Sequence, residues 1–216
     1  MLKPFGRGML IAFSISLLLV CVPQNVSRAS HPEDMKGSKE ATLNDAMRKL
    51  WEEHITWTRV FIISAVAGLP DKDAATQRLL QNQVDIGNAI KPFYGNAAGD
   101  QLTALLKDHI VIAADVVTAA KANDKPKLDD ANKRWTANAD QIAAFLSKAN
   151  PKNWPETEMR TMMHDHLKLT TNEAVARIQG DWAADIKAYD AVHEQILHMA
   201  DGLTMGLVKQ FPDKFK

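Results

Sequence analysis

The chain has 216 residues, of which 46% are hydrophobic and 24% charged, with 26 basic and 26 acidic side chains. This composition is typical of a globular protein with a sizeable core, and it shows no basic patch of the kind that binds nucleic acid. Two tyrosines, few β-branched runs and many Ala, Leu, Lys, Asp and Gln residues favour helix over strand, so we expect an all-α fold.

The first 29 residues are predicted to be a secretory signal peptide. Two basic residues precede an apolar run over residues 9–22 that is too short for a membrane span, and small residues flank position 28. Cleavage near Ser30 leaves a periplasmic or secreted protein with 23 basic and 26 acidic residues and no membrane span. A lipoprotein signal at Cys21 is the weaker alternative, because Val20 stands where such signals carry a small residue.

Six amphipathic segments follow a polar lead-in. Residues 30–43 show no amphipathic period and are predicted to be flexible; the bundle domain spans 44–212, and 213–216 form a tail. Apolar residues recur at three- and four-residue steps, interrupted by Gly, Pro, Asn and Asp. The predicted helices cover about 44–67, 73–92, 100–123, 126–149, 156–179 and 182–211. Because short turns make consecutive helices antiparallel, we expect an up-down bundle of three repeated helical hairpins.

An acidic residue followed by a histidine recurs once in each hairpin. The histidines are His54, His109 and His166, separated by 55 and 57 residues, and each lies on the first helix of its pair. Residues equally distant from a hairpin turn lie at the same height, and this measure places an acid or a histidine of the return helix level with each of the three. The predicted buried layer comprises His54, Asp85, His109, Asp140, His166, His193 and His198.

Amides recur beside these acids, and aromatic residues flank the first histidine. Gln83, Asn138 and Gln195 occupy matching places on the three return helices. Trp51 and Trp57 lie about one turn before and after His54. With Arg59, they form the predicted wall of a pocket. Arg59 is expected to be solvated, and the alternative is that it pairs with a carboxylate or an anionic ligand.

The layer has two interpretations. A single histidine on an apolar face is more often a core residue hydrogen-bonded to a neighbouring helix than a ligand. Several imidazoles and carboxylates at one level carry a large desolvation cost, which a metal, a small ligand or trapped water would offset. Without Cys21 a divalent metal would take only nitrogen and oxygen ligands, although the level residues lack the usual three- or four-residue ligand spacing.

Three stretches, LWEEHITWTR at 50–59, IGNAIKPFYG at 86–95 and DWAAD at 181–185, resemble an uncharacterised family of exported bacterial all-helical proteins. The resemblance covers nearly all of the chain after the signal. Some members of the family carry an automatic glycosyltransferase label, but the helical pattern does not supply a nucleotide-sugar-binding fold. The resemblance implies export and a helical fold, and it assigns no catalytic residue.

Three functions are consistent with the sequence. The first is an exported binding protein that holds a metal ion or small molecule at the histidine level. The second is a hydrolase or transferase in which His109 and Asp140 act as general base and orienter. The third is a sensory or interaction module whose polar layer only fixes helix register. No glycine-rich phosphate loop, nucleophile elbow or zinc-protease motif favours a familiar enzyme class.

Overall fold

The computed structural model describes residues 38–216, which form six α-helices and, among those residues, no strand. The helices are α1 (Ser38–Ala67), α2 (Lys72–Tyr94), α3 (Asn96–Lys121), α4 (Lys125–Ala149), α5 (Glu156–Gln179) and α6 (Trp182–Gln210), and a single 3-10 turn, Pro212–Lys214, follows. The predictions of an all-α fold and six helices are confirmed. The predicted signal peptide lies outside the described residues.

The helices form a closed ring. Each packs against the next in sequence, and α6 packs against α1. The first helices of the three hairpins, α1, α3 and α5, also contact one another along the axis of the bundle. The second helices, α2, α4 and α6, lie in the ring between them. The hairpin turns are at one end, called the turn end, and the joints at Gly95 and at residues 150–155 are at the opposite end, called the link end.

Several boundaries differ from the predicted ones, among them the start of α3, which is Asn96 and not residue 100. The lead-in of residues 30–43 is already helical at Ser38, because the apolar period of α1 begins with Leu43 packed against the core beside the buried Met47. Residues 30–37 lie outside the described part. At its C-terminal end, α2 continues past the predicted end at Pro92 to Tyr94. A proline so near the end of a helix removes one backbone hydrogen bond but does not force the helix to break.

Aspartates begin two of the return helices. Asp124 accepts a hydrogen bond from the backbone N–H of Lys127 at 3.2 Å, and Asp181 accepts one from Ala184 at 3.0 Å. Each satisfies one of the N–H groups that the first turn of a helix leaves free. These caps fix where the chain reverses direction.

The link end is tightly packed around Trp154, which is 2% exposed. Its indole N–H donates to Gly202 O at 3.3 Å, and the Asn150 side chain donates to Gly206 O at 2.9 Å. A Cβ atom on Gly206 would lie 2.0 Å from Trp154 Nε1, so only glycine fits there. Within residues 38–216, no helix has the length and apolar character needed to cross a membrane.

Candidate functional site

The three histidines converge at one level on the axis of the bundle. His54, His109 and His166 are 3%, 3% and 4% exposed. The ring centroids of His54 and His166 are 5.7 Å apart, and those of His109 and His166 are 6.4 Å apart. This convergence follows from the fold, because the helices that carry the three residues are the ones that meet at the axis.

Each histidine contacts an amide side chain that follows it by 29 residues in the same hairpin. His109 Nδ1 lies 2.8 Å from Asn138 Oδ1, and Asn138 Nδ2 donates to Leu105 O at 3.0 Å. His166 Nδ1 lies 3.1 Å from Gln195 Oε1, and Gln195 Nε2 donates to Met162 O at 3.1 Å. In both hairpins, therefore, one amide binds the imidazole and also the carbonyl one helical turn before it.

The first hairpin divides the same task between two amides. Gln83 Nε2 lies 3.2 Å from His54 Nδ1, while Asn82 Nδ2 donates to Leu50 O at 2.9 Å. The two amides are themselves joined, since Gln83 Nε2 is 3.2 Å from Asn82 Oδ1. Leu50 precedes His54 by four residues, so the backbone carbonyl that is bound is the same one in all three repeats.

The hydrogen-bond partners determine which ring nitrogen carries the proton. Trp135 Nε1–H donates to His109 Nε2 at 3.2 Å, so the proton of His109 is on Nδ1 and is donated to Asn138. The Gln195 amide nitrogen is turned to Met162 O, so its oxygen accepts from His166 Nδ1–H. Gln83 instead turns its amide nitrogen to Leu79 O and to His54, which makes His54 Nδ1 the acceptor.

Burial keeps all three imidazoles neutral. Desolvation and the nearby His166 lower the pKa of His109 to about 3, and desolvation lowers the pKa of His166 to about 4. Desolvation, with the neighbouring His166 and His109, also holds the pKa of His54 well below its usual value. A neutral amide partner cannot offset the cost of a buried imidazolium as a carboxylate would.

The carboxylates predicted beside the first two histidines lie elsewhere. Asp85 is on the outer face of α2, where its carboxylate is 4.0 Å from Arg78. Asp140 is on the outer face of α4, 2.9 Å from the exposed His164 and 3.5 Å from Arg160. Distance from the turn correctly predicts the height of these residues along the bundle. Each aspartate, however, lies two residues after an amide, which is about 200° around the helix, so the amide faces the axis and the aspartate faces outward.

The two remaining predicted histidines are also outside the layer. His193 lies on the α1 side of α6, where its Nε2 is 3.2 Å from Glu52 Oε1 and its ring is 6.1 Å from that of Tyr189. His198 is exposed. Gln195 is the residue of α6 that faces His166. His193 is two residues away from it, which is about 200° around the helix, and so points in another direction.

The three predicted wall residues separate. Trp51 is buried and contacts His54 edge-on, with 5.8 Å between ring centroids. Trp57 points toward α2, where the Arg78 guanidinium lies 5.4 Å from its ring. Arg59 points toward α5 and α6 and is not part of the histidine layer.

Arg59 belongs to a second buried polar group, the carboxylate cluster, composed of Arg59, Glu173, Arg177 and Asp185. Arg59 donates to Glu173 Oε1 at 2.8 Å and to both oxygens of Asp185 at 3.0 and 3.2 Å, and Arg177 donates to Asp185 at 3.3 Å. Desolvation raises the pKa of Glu173 to about 7 despite the adjacent Arg59. The cluster ties α1 to the third hairpin and leaves each carboxylate partnered, so Arg59 is paired with carboxylates and is not the solvated arginine that the sequence favoured.

The histidine layer has little capacity to hold a metal ion. Among residues 38–216, no three His, Asp, Glu or Cys side chains are arranged around a common metal position. Both nitrogens of His109 are already engaged, by Trp135 and Asn138. For the same reason His109 has no free lone pair with which to act as a general base, and Asp140 does not orient it.

A cavity of about 90 Å³ lies directly next to the layer, on the side of the turn end. Its floor includes Thr58, Ala113 and Thr170, which each follow one of the three histidines by four residues. Its walls come from α1 to α5 and are almost entirely apolar, and Trp135 connects them to His109. The lining residues Thr171 and Asn132 are half-buried and Val175 is 39% exposed, so the cavity opens between α4 and α5.

Thr170 is the unusual residue of this floor. It is 7% exposed, and its hydroxyl has no hydrogen-bond partner. The hydroxyl of Thr58 donates to His54 O at 2.8 Å, and that of Thr171 donates to Leu167 O at 2.8 Å. The cavity thus presents one buried, unpaired hydroxyl in a surface that is mainly apolar. Sequence reasoning missed both the cavity and Thr170, because neither has a motif.

Comparison of the chain with protein-family models, with curated proteins and with solved structures finds no match. The functional assignment therefore rests on the geometry of the bundle itself.

Proposed function

We propose that the protein is a helical-bundle binding protein that holds a small, largely apolar molecule in the cavity between the histidine layer and the turn end. The observation that carries the proposal is the apolar cavity of about 90 Å³ with a mouth between α4 and α5. Protein interiors are normally packed to the density of organic crystals, so a void of this size beside a well-ordered layer requires an explanation.

The size of the cavity limits the ligand. An engineered cavity of ~150 Å³ lined by apolar side chains stays dry and accepts benzene. A cavity of about 90 Å³ therefore suits a smaller molecule, of roughly four or five non-hydrogen atoms, unless its body extends out past Val175. Binding would be driven by burial of apolar surface, at about 25 cal/mol per Å².

The histidine layer has a structural role in this proposal. It closes one end of the cavity with three neutral imidazoles, each in contact with an amide side chain of the same hairpin, and it fixes the register of the three hairpins. A ligand at the cavity consequently meets a rigid, neutral floor and not a metal or an ionised group. The geometry favours this arrangement over the metal-binding and His-Asp enzyme hypotheses, because His109 has no free nitrogen.

Export is the second part of the proposal and depends on the predicted signal over residues 1–29. A periplasmic or secreted binding protein would meet its ligand outside the cytoplasm. N-terminal sequencing of the protein recovered from the cell envelope or medium should give a start near Ser30, and recovery of the intact chain in the cytoplasm alone would argue against export.

The binding proposal is tested with n-pentane as the probe. Saturable changes in amide chemical shifts of residues lining the cavity are expected for the wild-type protein. Ala113→Leu, which places a larger side chain in the cavity, should abolish them. Ala104→Leu, an exposed position on the same helix, is the matched control and should leave them unchanged. Absence of saturable shifts in the wild type, or equal binding by Ala113→Leu, would reject the proposal.

A further inference from the structure

The hydroxyl of Thr170 departs from the behaviour of the other threonines around it. In a helix a threonine hydroxyl commonly donates to the backbone carbonyl four residues earlier, as Thr58, Thr171 and the buried Thr204 do here, each at 2.8 Å. The corresponding carbonyl for Thr170 is that of His166, and no such bond is made. The side chain instead lines the cavity with its oxygen unpaired.

An unpaired buried hydroxyl is costly. Leaving a buried donor or acceptor without a partner loses ~1–3 kcal/mol relative to a bonded one, and folded proteins contain few such groups. Most of the other polar groups close to Thr170 in the floor already have partners, since Trp135 N–H binds His109 and Thr58 binds His54 O. The missing partner of Thr170 therefore has to come from what fills the cavity.

Water alone satisfies this site poorly. A cavity of about 90 Å³ has room for roughly three waters at ~30 Å³ each, but a buried water requires two to four polar partners. The walls offer almost none, because they consist mainly of Ala, Val, Leu, Ile and Phe side chains. An occupant with a single polar atom and an apolar body matches both Thr170 and the walls.

We propose that the ligand class is a small apolar molecule with one hydrogen-bonding oxygen, such as a short-chain alcohol or carbonyl compound, bound with that oxygen on Thr170 Oγ1. The proposal rests on the proposed function, since it names the orientation and chemistry of the ligand in the same cavity. The apolar body points away from the histidine layer, toward Val117 and the mouth at Val175. Thr170 is thus a specificity-determining residue.

The test compares two probes with the same number of non-hydrogen atoms, 1-butanol and n-pentane, in NMR titrations of the whole protein. Thr170→Val removes the hydroxyl and keeps the shape. It should weaken 1-butanol binding by about 3- to 10-fold, the worth of one neutral hydrogen bond, and leave n-pentane binding within about twofold. Thr204→Val, which removes a buried hydroxyl that already binds Ala200 O and does not line the cavity, is the matched control and should change neither affinity.

The outcomes separate this inference from the proposed function. If n-pentane binds the wild type but 1-butanol does not, or if Thr170→Val leaves the affinity for 1-butanol unchanged, the role of Thr170 is wrong while the cavity remains a binding site. An equal loss of both probes in Thr170→Val would also overturn the role, since it would indicate damage to the cavity. If n-pentane does not bind the wild type, the proposed function itself fails.

Discussion

The two halves of the bundle on either side of the histidine layer are built from the same helices but are packed differently. Three residues before each histidine, toward the link end, stand Trp51, Leu106 and Met163, which are at most 6% exposed. The void that they border has a volume of only about 20 Å³. Four residues after each histidine, toward the turn end, stand Thr58, Ala113 and Thr170, and the void is about 90 Å³.

Both sets of residues lie on the same helix faces as the histidines, because intervals of three and four residues return to one side of a helix. The cavity is therefore not caused by the backbone geometry. It exists because Thr58, Ala113 and Thr170 are small. The same helices pack without a large void in one half of the bundle, so the cavity in the other half results from the smaller side chains there. This difference is what connects the fold to a binding function.

The largest expected effect comes from lowering the pH, because the histidines of the layer that separates the two halves stay neutral in the folded protein while those of the unfolded chain take up protons. Below pH 6.5 the unfolded chain takes up protons on its histidines, whereas folded His109 and His166, with pKa values of about 3 and about 4, do not. The free energy of unfolding should therefore fall as the pH is lowered, by about 2 kcal/mol per buried histidine between pH 7 and 5. Glu173, with its pKa raised to about 7, takes up a proton in the folded state and opposes this loss by a similar amount.

Urea unfolding at each pH measures the effect, and His109→Gln isolates one histidine. That variant should lose about 2 kcal/mol less than the wild type over the same pH range. His198→Gln, at an exposed position on α6, should retain the full wild-type dependence. An identical pH dependence in His109→Gln and wild type would show that His109 is not held neutral by burial.

The sequence was sufficient for the fold and for the height of the layer. Periodicity gave the six helices, and the recurrence of His54, His109 and His166 placed one imidazole at the same height in each hairpin, where the structure brings them together. Counting residues from a turn predicts how far a residue lies along the bundle, but not the direction in which its side chain points around the helix. The prediction therefore named Asp140, although Asn138, two residues away, is the residue that faces the axis.

The amide partners could have been found from the sequence, whereas the cavity's mouth could not. The interval of 29 residues from each histidine to Gln83, Asn138 and Gln195 is a repeat in its own right. The unpaired hydroxyl of Thr170 depends on a side-chain rotamer, and the opening between α4 and α5 depends on how two helices diverge. Neither quantity is encoded in a short motif.

A second prediction adds the same three carbon atoms to each half of the bundle. Ala143 is fully buried on α4 in the link half, and Ala113 lines the cavity in the turn half. Ala143→Leu should lower the free energy of unfolding by about 3 kcal/mol, because a well-packed core has no space for the added atoms. Ala113→Leu should cost less than about 1 kcal/mol, since part of the added volume enters an existing void.

Chemical denaturation of the two variants beside the wild type provides the comparison. A cost for Ala113→Leu as large as that for Ala143→Leu would mean that the turn half is as densely packed as the link half. The cavity would then carry no functional argument. A smaller cost supports the difference between the halves independently of any ligand.

The smallest expected effect is on the free energy of unfolding when a buried threonine is replaced by valine. The sign of this effect should differ between the two halves of the bundle. Thr204 in the link half is 4% exposed, and its hydroxyl donates to Ala200 O at 2.8 Å. Thr204→Val should therefore lower the free energy of unfolding by about 1 kcal/mol, the net worth of one hydrogen bond. Thr170→Val should raise it by up to about 1 kcal/mol, because the methyl group replaces a hydroxyl that the ligand-free fold leaves unpaired.

Thermal or urea unfolding of ligand-free protein distinguishes the two signs even though the effects are small. If Thr170→Val destabilises as Thr204→Val does, the hydroxyl of Thr170 has a partner in solution and cannot be the group that awaits one from a ligand. A stabilised Thr170→Val that also binds 1-butanol more weakly would show that the chain keeps a costly polar group for recognition. A lower free energy of unfolding is expected at a binding site where a residue is selected for contact with the ligand and not for the stability of the fold.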